Sequence, residues 1–278
     1  MIFFPNCKIN IGLFVTGKRE DGFHNIESIF YPLGLNDALE MRESLNNECS
    51  FSLSGLGSNG DVTPSMDNSV MKAYSVLKQD FPTLPSMNIH LDKGIPCFAG
   101  LGGGSSDGTY ALKLLDYMCG LNLSKEQLFH YASILGSDNP FFVENKPMFV
   151  YGRGEKMEEK ELSLKDYYIV LVKPNLNIST KEAYQNVHKT PQPFDLRTLN
   201  VKDIKNWKDY VANDFEVNLF EKYPILKETK QMLYSLGALY SQMSGSGATV
   251  FGLFETKPEI ERIKADKDTF IHIEKLKI

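Results

Sequence analysis

Apolar and polar residues alternate near the start of the chain, which is typical of a strand with two unlike faces. Lys8 and Asn10 fall on one side of this strand. The other side carries apolar residues: Cys7, Ile9, Ile11 and Leu13. A turn-rich stretch at residues 16–24 leads into a second apolar run at residues 26–35. The pattern predicts two paired strands, with Lys8 and Asn10 pointing the same way.

Helical periodicity replaces this alternation further along the chain. Asp67 or Asn68 is placed to cap a helix. The apolar residues of that helix recur at positions i, i+3, i+4 and i+7: Val70, Ala73, Tyr74 and Leu77. Ser124 and Gln127 have the spacing of a capping box, and Gly136 stands where the helix they begin should end. We therefore predict two amphipathic helices in this region.

The segment between these helices predicts a strand, a loop and a third helix. Residues 89–91 have strand character and lead into a glycine-rich stretch. After Asp107 the pattern becomes helical, and Gly120 lies near its end. The polar residues 44–67 predict loops and short strands.

A densely charged segment, residues 155–165, has little to bury and predicts a linker or a surface hairpin. We place a domain boundary there, which gives domains of residues 1–160 and 161–278. The second domain is predicted to contain a strand at 168–172, helices near 181–187 and at 224–237, and a glycine motif at 244–254.

Composition limits the classes of partner. The chain has 278 residues, enough for two domains, with 42% hydrophobic residues and a formal net charge of −5 at pH 7. This charge argues against nucleic acid and membrane surfaces, since both are anionic. No stretch resembles a membrane helix or a signal peptide, so the expected compartment is the cytoplasm. Four widely spaced cysteines are predicted to be reduced, buried thiols: Cys7, Cys49, Cys97 and Cys119.

Four glycines and two serines lie within residues 100–106, where a predicted strand passes into a predicted helix. Glycines let the backbone approach a ligand closely, and N–H groups at a helix start attract phosphate. A flexible turn with a serine cap is the alternative. The dinucleotide pattern GxGxxG fails, because Ser105 or Asp107 stands where its last glycine should be. A Walker A motif fails at Arg19, which replaces the required Ser or Thr.

Residues 96–106, PCFAGLGGGSS, resemble the ATP-binding motif of the GHMP small-molecule kinases. Three further segments resemble motifs of that family in the same order: residues 5–10 with 21–24, residues 136–143, and residues 244–251. On this resemblance the chain is identified as a GHMP kinase, in the branch whose acceptor is 4-diphosphocytidyl-2-C-methyl-D-erythritol.

The resemblance implies a two-domain α+β fold with the active site in the cleft between the domains. It implies a kinase that uses ATP and Mg²⁺ to phosphorylate the 2-hydroxyl of this cytidyl diphosphate sugar alcohol, on the non-mevalonate route to isoprenoid precursors. The chain itself is expected to be a monomer or a homodimer. It departs from the family at Phe98, where Gly is usual, at Gly108, where Ala is usual, and at Phe23, where Tyr is usual.

The resemblance places the catalytic base at Asp138. It places a second catalytic residue at Lys8, which would keep Asp138 ionised and orient the acceptor hydroxyl. From the residues alone, a helix cap is the commoner role for Asp138, and a solvated surface position is the commoner role for Lys8.

The remaining site residues follow from the same resemblance. Asn10 would contact the acceptor or the phosphates, and His24, beside Phe23, would read the cytosine edge. Tyr184 would stack on the cytosine, unless it is a core residue. ATP is expected along one run of residues: Pro96, Cys97, Phe98, Ala99, Gly100, Leu101, Gly102, Gly103, Gly104, Ser105 and Ser106. The two serines could cap the helix, contact a phosphate or help to position magnesium.

Two other functions compete with this one. The same fold could act on homoserine, mevalonate or a sugar, although the Asp-Gly-Phe-His turn at residues 21–24 favours the cytidine acceptor. A non-catalytic ligand sensor on this fold should have lost its base or its serine-rich loop, and both are present here.

Overall fold

A computed structural model describes residues 1–56, 68–185, 187, 194–263 and 265–278 of the chain. Its strands are β1 (Ile2–Phe3), β2 (Asn6–Lys18), β3 (His24–Asn36), β4 (Ala38–Glu43), β5 (Ser50–Gly55), β6 (Met87–Lys93), β7 (Met148–Gly152), β8 (Lys156–Glu159), β9 (Tyr168–Lys173), β10 (Tyr240–Met243), β11 (Val250–Phe254) and β12 (Phe270–Lys275).

The α-helices are α1 (Ser69–Asp80), α2 (Gly103–Cys119), α3 (Lys125–Leu135), α4 (Phe141–Glu144), α5 (Thr180–Ala183), α6 (Trp207–Tyr210), α7 (Phe215–Lys222) and α8 (Pro224–Ser235). Three short 3₁₀ helices lie at Leu196–Thr198, Val201–Asn206 and Ile260–Arg262.

The chain divides into two units, and each unit is assembled from several segments. The first unit consists of Met1–Cys7, Leu35–Cys97 and Gly102–Lys146. The second consists of Lys8–Gly34, Phe98–Leu101 and Pro147–Ile278. The last change of unit falls between Lys146 and Pro147, whereas the predicted domain boundary falls after residue 160. That boundary stays a prediction.

The first unit packs helices on a four-stranded sheet of order β1-β4-β6-β5. β5 and β6 are parallel, and the other neighbours are antiparallel. The core comes from one apolar face of the sheet and from α1, α2 and α3, and it includes Ile89, Leu91, Leu112 and Leu115. This burial, rather than helix propensity alone, holds the helices in place.

Two of these helices begin as the sequence predicts. The Asn68 side chain accepts a hydrogen bond from the Val70 amide at 2.9 Å, while Asp67 lies outside the described residues. Ser124 and Gln127 form both halves of the predicted capping box, and Gly136 ends α3.

The second unit contains two four-stranded sheets, of orders β2-β3-β7-β8 and β10-β11-β9-β12. In the second of these sheets, β9 is central and pairs antiparallel with both β11 and β12. The core of this unit joins apolar residues of both sheets and of α7 and α8, such as Val15, Val172, Phe215 and Leu233. The first part of the charged segment, β8, forms a hairpin with β7, as one of its two interpretations predicts. The second part does not fit the prediction of little to bury, because Leu162 and Leu164 are buried.

Several sequence expectations need correction. α2 begins at Gly103 rather than after Asp107, because the end of the glycine run is itself helical. α5 ends at Ala183, short of the predicted residue 187. Residues 57–67, within the predicted loop region 44–67, lie outside the described part of the chain.

The cysteine prediction is wrong in part. All four side chains are thiols, as predicted, but only Cys7 is buried. Cys49 is exposed, and Cys97 and Cys119 are half-buried. Among the described helices, none has both the length and the apolar character needed to cross a bilayer.

Candidate active site

The glycine loop, residues 96–106, ends in the first turn of α2. Gly102 precedes this helix with φ +70°, a left-handed conformation that glycine adopts without strain. In the described part of the chain, no side chain caps the helix start. The N–H groups of Gly103, Gly104 and Ser105 therefore remain for a ligand, and the helix dipole favours an anionic one. This arrangement fits the phosphates of ATP, as the sequence predicts.

The room around the backbone of the glycine loop differs from one glycine to another. A Cβ atom on Gly100 would come within 2.0 Å of the Ser244 carbonyl oxygen. A Cβ atom on Gly104, in contrast, would meet nothing within 4 Å. The backbone is therefore closely packed at Gly100 and open at Gly104.

The third glycine motif, residues 244–251, supports the start of the loop. The Ser244 hydroxyl donates to the Gly100 carbonyl at 2.8 Å. The Ala248 amide donates to the Phe98 carbonyl at 3.1 Å, and the Thr249 amide donates to the Ala99 carbonyl at 3.2 Å. These bonds explain why a second glycine-rich segment is needed far along the chain: it holds the backbone of residues 98–100.

Phe98 has an unusual conformation for its residue type. Its φ is +50°, in the left-handed region, and 47% of its side chain is exposed. Phe98 thus has a backbone conformation that is typical of glycine, combined with a large exposed ring.

Lys8 is buried and not a solvated surface lysine. Only 3% of it is exposed, because both faces of β2 are covered. Its ammonium donates to the Asn10 side-chain oxygen at 2.7 Å and lies 4.1 Å from the centroid of the Phe30 ring. The Asn10 amide nitrogen in turn donates to Ser28 at 2.9 Å. Lys8 and Asn10 thus share one hydrogen-bond chain.

Asp138 lies between α3 and α4 and is half-buried. Pro140, not Asp138, is the residue that directly precedes α4. The Asp138 carbonyl accepts from the Phe141 amide at 3.2 Å. The role of its carboxylate, as helix cap or as base, stays a prediction. Asp138 belongs to the first unit and Lys8 to the second, so their pairing stays a prediction.

His24 and Tyr184 are brought together in the second unit. Their rings stack with centroids 5.0 Å apart and planes 20° apart. Tyr184 also meets the Phe215 ring edge-on at 4.8 Å. Burial, assisted by the charge of Lys18, lowers the pKa of His24, so its imidazole is neutral at pH 7. Phe23 is exposed, and the Arg153 guanidinium lies 5.0 Å from its ring centroid.

A buried charge cluster lies directly beside the glycine loop in the first unit. Lys93 donates to Asp37 at 2.5 Å and to Asp107 at 2.8 Å. Asp37 also accepts from the amides of Gly94 and Ile95, both at 2.7 Å. Burial raises the pKa of Asp107, with Lys93 opposing the rise. Sequence patterns gave no signal for this cluster, because its members are far apart along the chain.

The polar atoms beside this cluster are relevant to where a magnesium ion could be held. The Ser106 hydroxyl and one Asp107 oxygen are buried without a hydrogen-bond partner in the described part of the chain. No group of three or more His, Cys, Asp or Glu side chains among the described residues could hold a metal ion. These residues fit a cation that is held mainly by phosphate oxygens, with a serine hydroxyl nearby.

Two family models match the chain. The GHMP kinases N-terminal domain matches residues 68–146, and the GHMP kinases C-terminal domain matches residues 196–266. The first match contains the whole glycine loop and Asp138, while the second contains the third glycine motif.

Relatives that match over nearly their whole length show which branch of the GHMP kinases the chain is most similar to. The chain is 46% identical over 264 residues to the 4-diphosphocytidyl-2-C-methyl-D-erythritol kinase of Bacteroides thetaiotaomicron, covering 94% of this chain and 96% of the relative. The chain belongs to this kinase family, within the GHMP kinases. Its members are small-molecule kinases with ATP as the phosphoryl donor, so the expectation of an ATP-dependent small-molecule kinase is confirmed.

Solved structures agree with this assignment. A crystal structure of a 4-(cytidine 5′-diphospho)-2C-methyl-D-erythritol kinase matches with a TM-score of 0.74 and 30% identity, over 91% of this chain and 90% of that chain. The Methanococcus jannaschii mevalonate kinase matches with a TM-score of 0.72 at 14% identity, over 98% and 97% of the two chains. At that identity the second match shows the fold alone. The predicted α+β fold of the GHMP kinases is confirmed.

Proposed function

We propose that the chain transfers the terminal phosphoryl group of ATP to the 2-hydroxyl of 4-diphosphocytidyl-2-C-methyl-D-erythritol, on the non-mevalonate route to isoprenoid precursors. The observation that carries this choice of acceptor is the 46% identity to a kinase of that name over 96% of its length. The neutral His24 beside Tyr184 supports it, because the two offer a hydrogen-bonding edge and an aromatic ring for a cytosine.

The glycine loop binds and orients the donor. The N–H groups at the start of α2 contact phosphate oxygens, and the open side of Gly104 leaves room for them. In phosphoryl transfer most of the catalytic effect comes from such positioning and from charge stabilisation. Mg²⁺, when bound to the phosphates, neutralises negative charge on them, and Ser105 or Ser106 would help to hold it.

Asp138 acts as the base. The acceptor oxygen forms a bond to the transferred phosphorus, the bond from that phosphorus to ADP breaks, and the hydroxyl proton passes to the Asp138 carboxylate. Lys8 keeps Asp138 ionised and orients the acceptor hydroxyl. Asn10 fixes the Lys8 ammonium through their 2.7 Å hydrogen bond and contacts the acceptor or the phosphates.

The cytosine is bound by the aromatic residues of the second unit. A neutral imidazole has one donor and one acceptor nitrogen, which suits the amino and ring-nitrogen edge of cytosine. Tyr184 stacks on the base, and Phe23 supplies a further exposed ring.

We also propose that the chain acts in the cytoplasm, where ATP is available, as a monomer or a homodimer with domains at residues 1–160 and 161–278. Its partner is the small-molecule substrate, without a nucleic-acid or membrane partner.

Steady-state assays test the reaction and its base together. Wild type is assayed in one coupled system with the cytidyl substrate, mevalonate, homoserine and a sugar as competing acceptors. We expect turnover of the cytidyl substrate only, and loss of kcat by about 100-fold or more in Asp138→Asn. Turnover of mevalonate instead would contradict the acceptor, and tight ATP binding without any transfer would indicate the sensor. A near-normal kcat in Asp138→Asn would contradict the base.

A further inference from the structure

The residue after Asp138 is tied to the first turns of α2. Asn139 is 2% exposed, and its side-chain nitrogen donates to the Ser105 carbonyl at 2.9 Å and to the Thr109 hydroxyl at 3.3 Å. The Thr109 hydroxyl lies 2.9 Å from the Asn139 carbonyl and 3.1 Å from the Ser105 carbonyl, so it can donate to either. We call Ser105, Thr109 and Asn139 the Asn139 network.

The chemistry of the partners fixes the orientation of the Asn139 amide. The Ser105 carbonyl can only accept a hydrogen bond, so the side-chain nitrogen, not the oxygen, must face it. With its hydrogen on a carbonyl, the Thr109 oxygen can only accept from that same nitrogen. Both the side chain and the main chain of Asn139 are thus hydrogen-bonded to α2, which fixes the backbone next to Asp138.

A second contact holds the far end of the same segment. Lys113, one turn beyond Thr109 on α2, donates to the carbonyls of Phe142 at 2.7 Å and Val143 at 3.1 Å. The segment that carries Asp138 is therefore fixed along one face of α2 at two points.

Two glycines make room for this packing. A Cβ atom on Gly136 would come within 2.8 Å of the Asn139 side-chain oxygen. A Cβ atom on Gly108 would lie 3.1 Å from the Asn139 side-chain nitrogen. Asn139 therefore occupies a site that larger neighbours would close.

We propose that Asn139, with Thr109, is a positioning residue for phosphoryl transfer: it fixes Asp138 relative to Ser105 of the glycine loop. The inference rests on the proposed function, because it gives Asn139 its role through Asp138 as base. Catalysis requires a fixed distance and orientation between the base and the phosphate-binding N–H groups. Reacting groups misplaced by about 1 Å can cost on the order of 100-fold in rate. The hydrogen bonds from Asn139 to Ser105 and Thr109 hold the segment that carries Asp138 against the start of α2, and all these residues belong to one unit.

A matched pair at Thr109 tests the network. Thr109→Val removes the hydroxyl and keeps the shape, whereas Thr109→Ser keeps the hydroxyl and removes a methyl group. We expect Thr109→Val to lower kcat by about tenfold with the KM for ATP and for the acceptor changed less than twofold. Thr109→Ser should retain kcat within about twofold. Asn139→Leu, which removes the network from the other side, should reproduce the kcat loss.

The Asp138→Asn background separates positioning from a structural role. If Thr109 acts through Asp138, then Thr109→Val should lower the residual kcat of Asp138→Asn by less than twofold, since the group it positions is gone. The proposal is overturned if the full tenfold loss persists in that background. It is also overturned if Thr109→Val and Thr109→Ser have equal kcat while only the melting temperature falls.

Failure of the proposed function gives a different result. A near-normal kcat in Asp138→Asn alone contradicts the base and therefore also its positioning. A large loss in Asp138→Asn, combined with either contradicting pattern at Thr109, overturns the Asn139 network alone.

Discussion

Gly108 on α2 packs directly against Ser69 at the start of α1. A Cβ atom on Gly108 would come within 2.1 Å of the Ser69 hydroxyl oxygen. An alanine at position 108 would therefore require the Ser69 side chain to move, and Asn139 and Leu135 lie close to the same point.

Gly108→Ala should therefore destabilise the protein, although Ala is favoured over Gly in a helix by about 1 kcal/mol. Overpacking of a buried contact costs about 1–3 kcal/mol, which exceeds that gain. Adding Ser69→Ala, which removes the clashing oxygen, should recover most of the loss. Thermal unfolding of the single and double variants measures both effects, and a more stable Gly108→Ala would contradict the clash.

Phe98 gives a second stability prediction, because its φ of +50° strains any residue with a Cβ atom. Phe98→Gly and Phe98→Ala both remove the ring, but only Gly adopts this conformation without strain. The Gly variant should be more stable than the Ala variant by about 1 kcal/mol. The free energies of unfolding of the two variants are measured in urea. A more stable Ala variant would show that residue 98 relaxes to a negative φ.

Lys113 predicts a change of stability with pH. Burial lowers the pKa of Lys113 to about 8, well below the ordinary value of 10.5. Between these values the unfolded chain holds the proton and the folded chain has released it. The free energy of unfolding should therefore rise with pH from about 8 to about 10.

Lys113→Met is the control for that rise. Its curve lacks this titration, so the difference between wild type and variant should grow over the same range. Chemical unfolding at a series of pH values measures it. A difference that stays flat from pH 7 to 10 would show that Lys113 titrates normally.

Tyr184 predicts an effect on substrate binding. Tyr184→Ala removes the ring that stacks on His24, while Tyr184→Phe keeps it. Loss of a base-stacking ring costs about 1–3 kcal/mol. We expect the KM for the cytidyl substrate to rise at least fivefold in the Ala variant, with the KM for ATP unchanged and Tyr184→Phe near wild type. An equal rise in both values of KM would instead indicate that Tyr184 is a core residue.

Local signals predicted much of the fold. Caps and periodicity placed α1 and α3, and Pro224 marked the start of α8, because each signal acts within a few residues. The start of α2 was misplaced, because glycines at a ligand loop weaken the helical pattern that they continue. The burial of both faces of β2 also escaped prediction, since Lys8 is covered by residues distant in sequence.

The candidate site was less predictable than the fold. The glycine loop has a local pattern, and the family resemblance supplied Asp138, Lys8 and His24. The contacts around them have no such pattern: Thr109 and Asn139 are 30 residues apart, and Asn10 and Ser244 are 234 residues apart. Only the folded chain brings such pairs together.

The assembly of the second unit from separate segments bears on synthesis at the ribosome. Its early strands, β2 and β3, are made long before β9, and β12 at residues 270–275 completes the sheet around β9. Glu274 in β12 also accepts a hydrogen bond from the Gly34 amide of β3 at 2.8 Å. β2 and β3 are neighbours in one sheet and can pair early. Their apolar residues Val15 and Ile26, however, pack in the core with residues of β9, α7 and α8, and so stay exposed until those elements are made. Contacts of such sequence separation form slowly, and apolar surface that stays exposed in the meantime favours aggregation of the nascent chain.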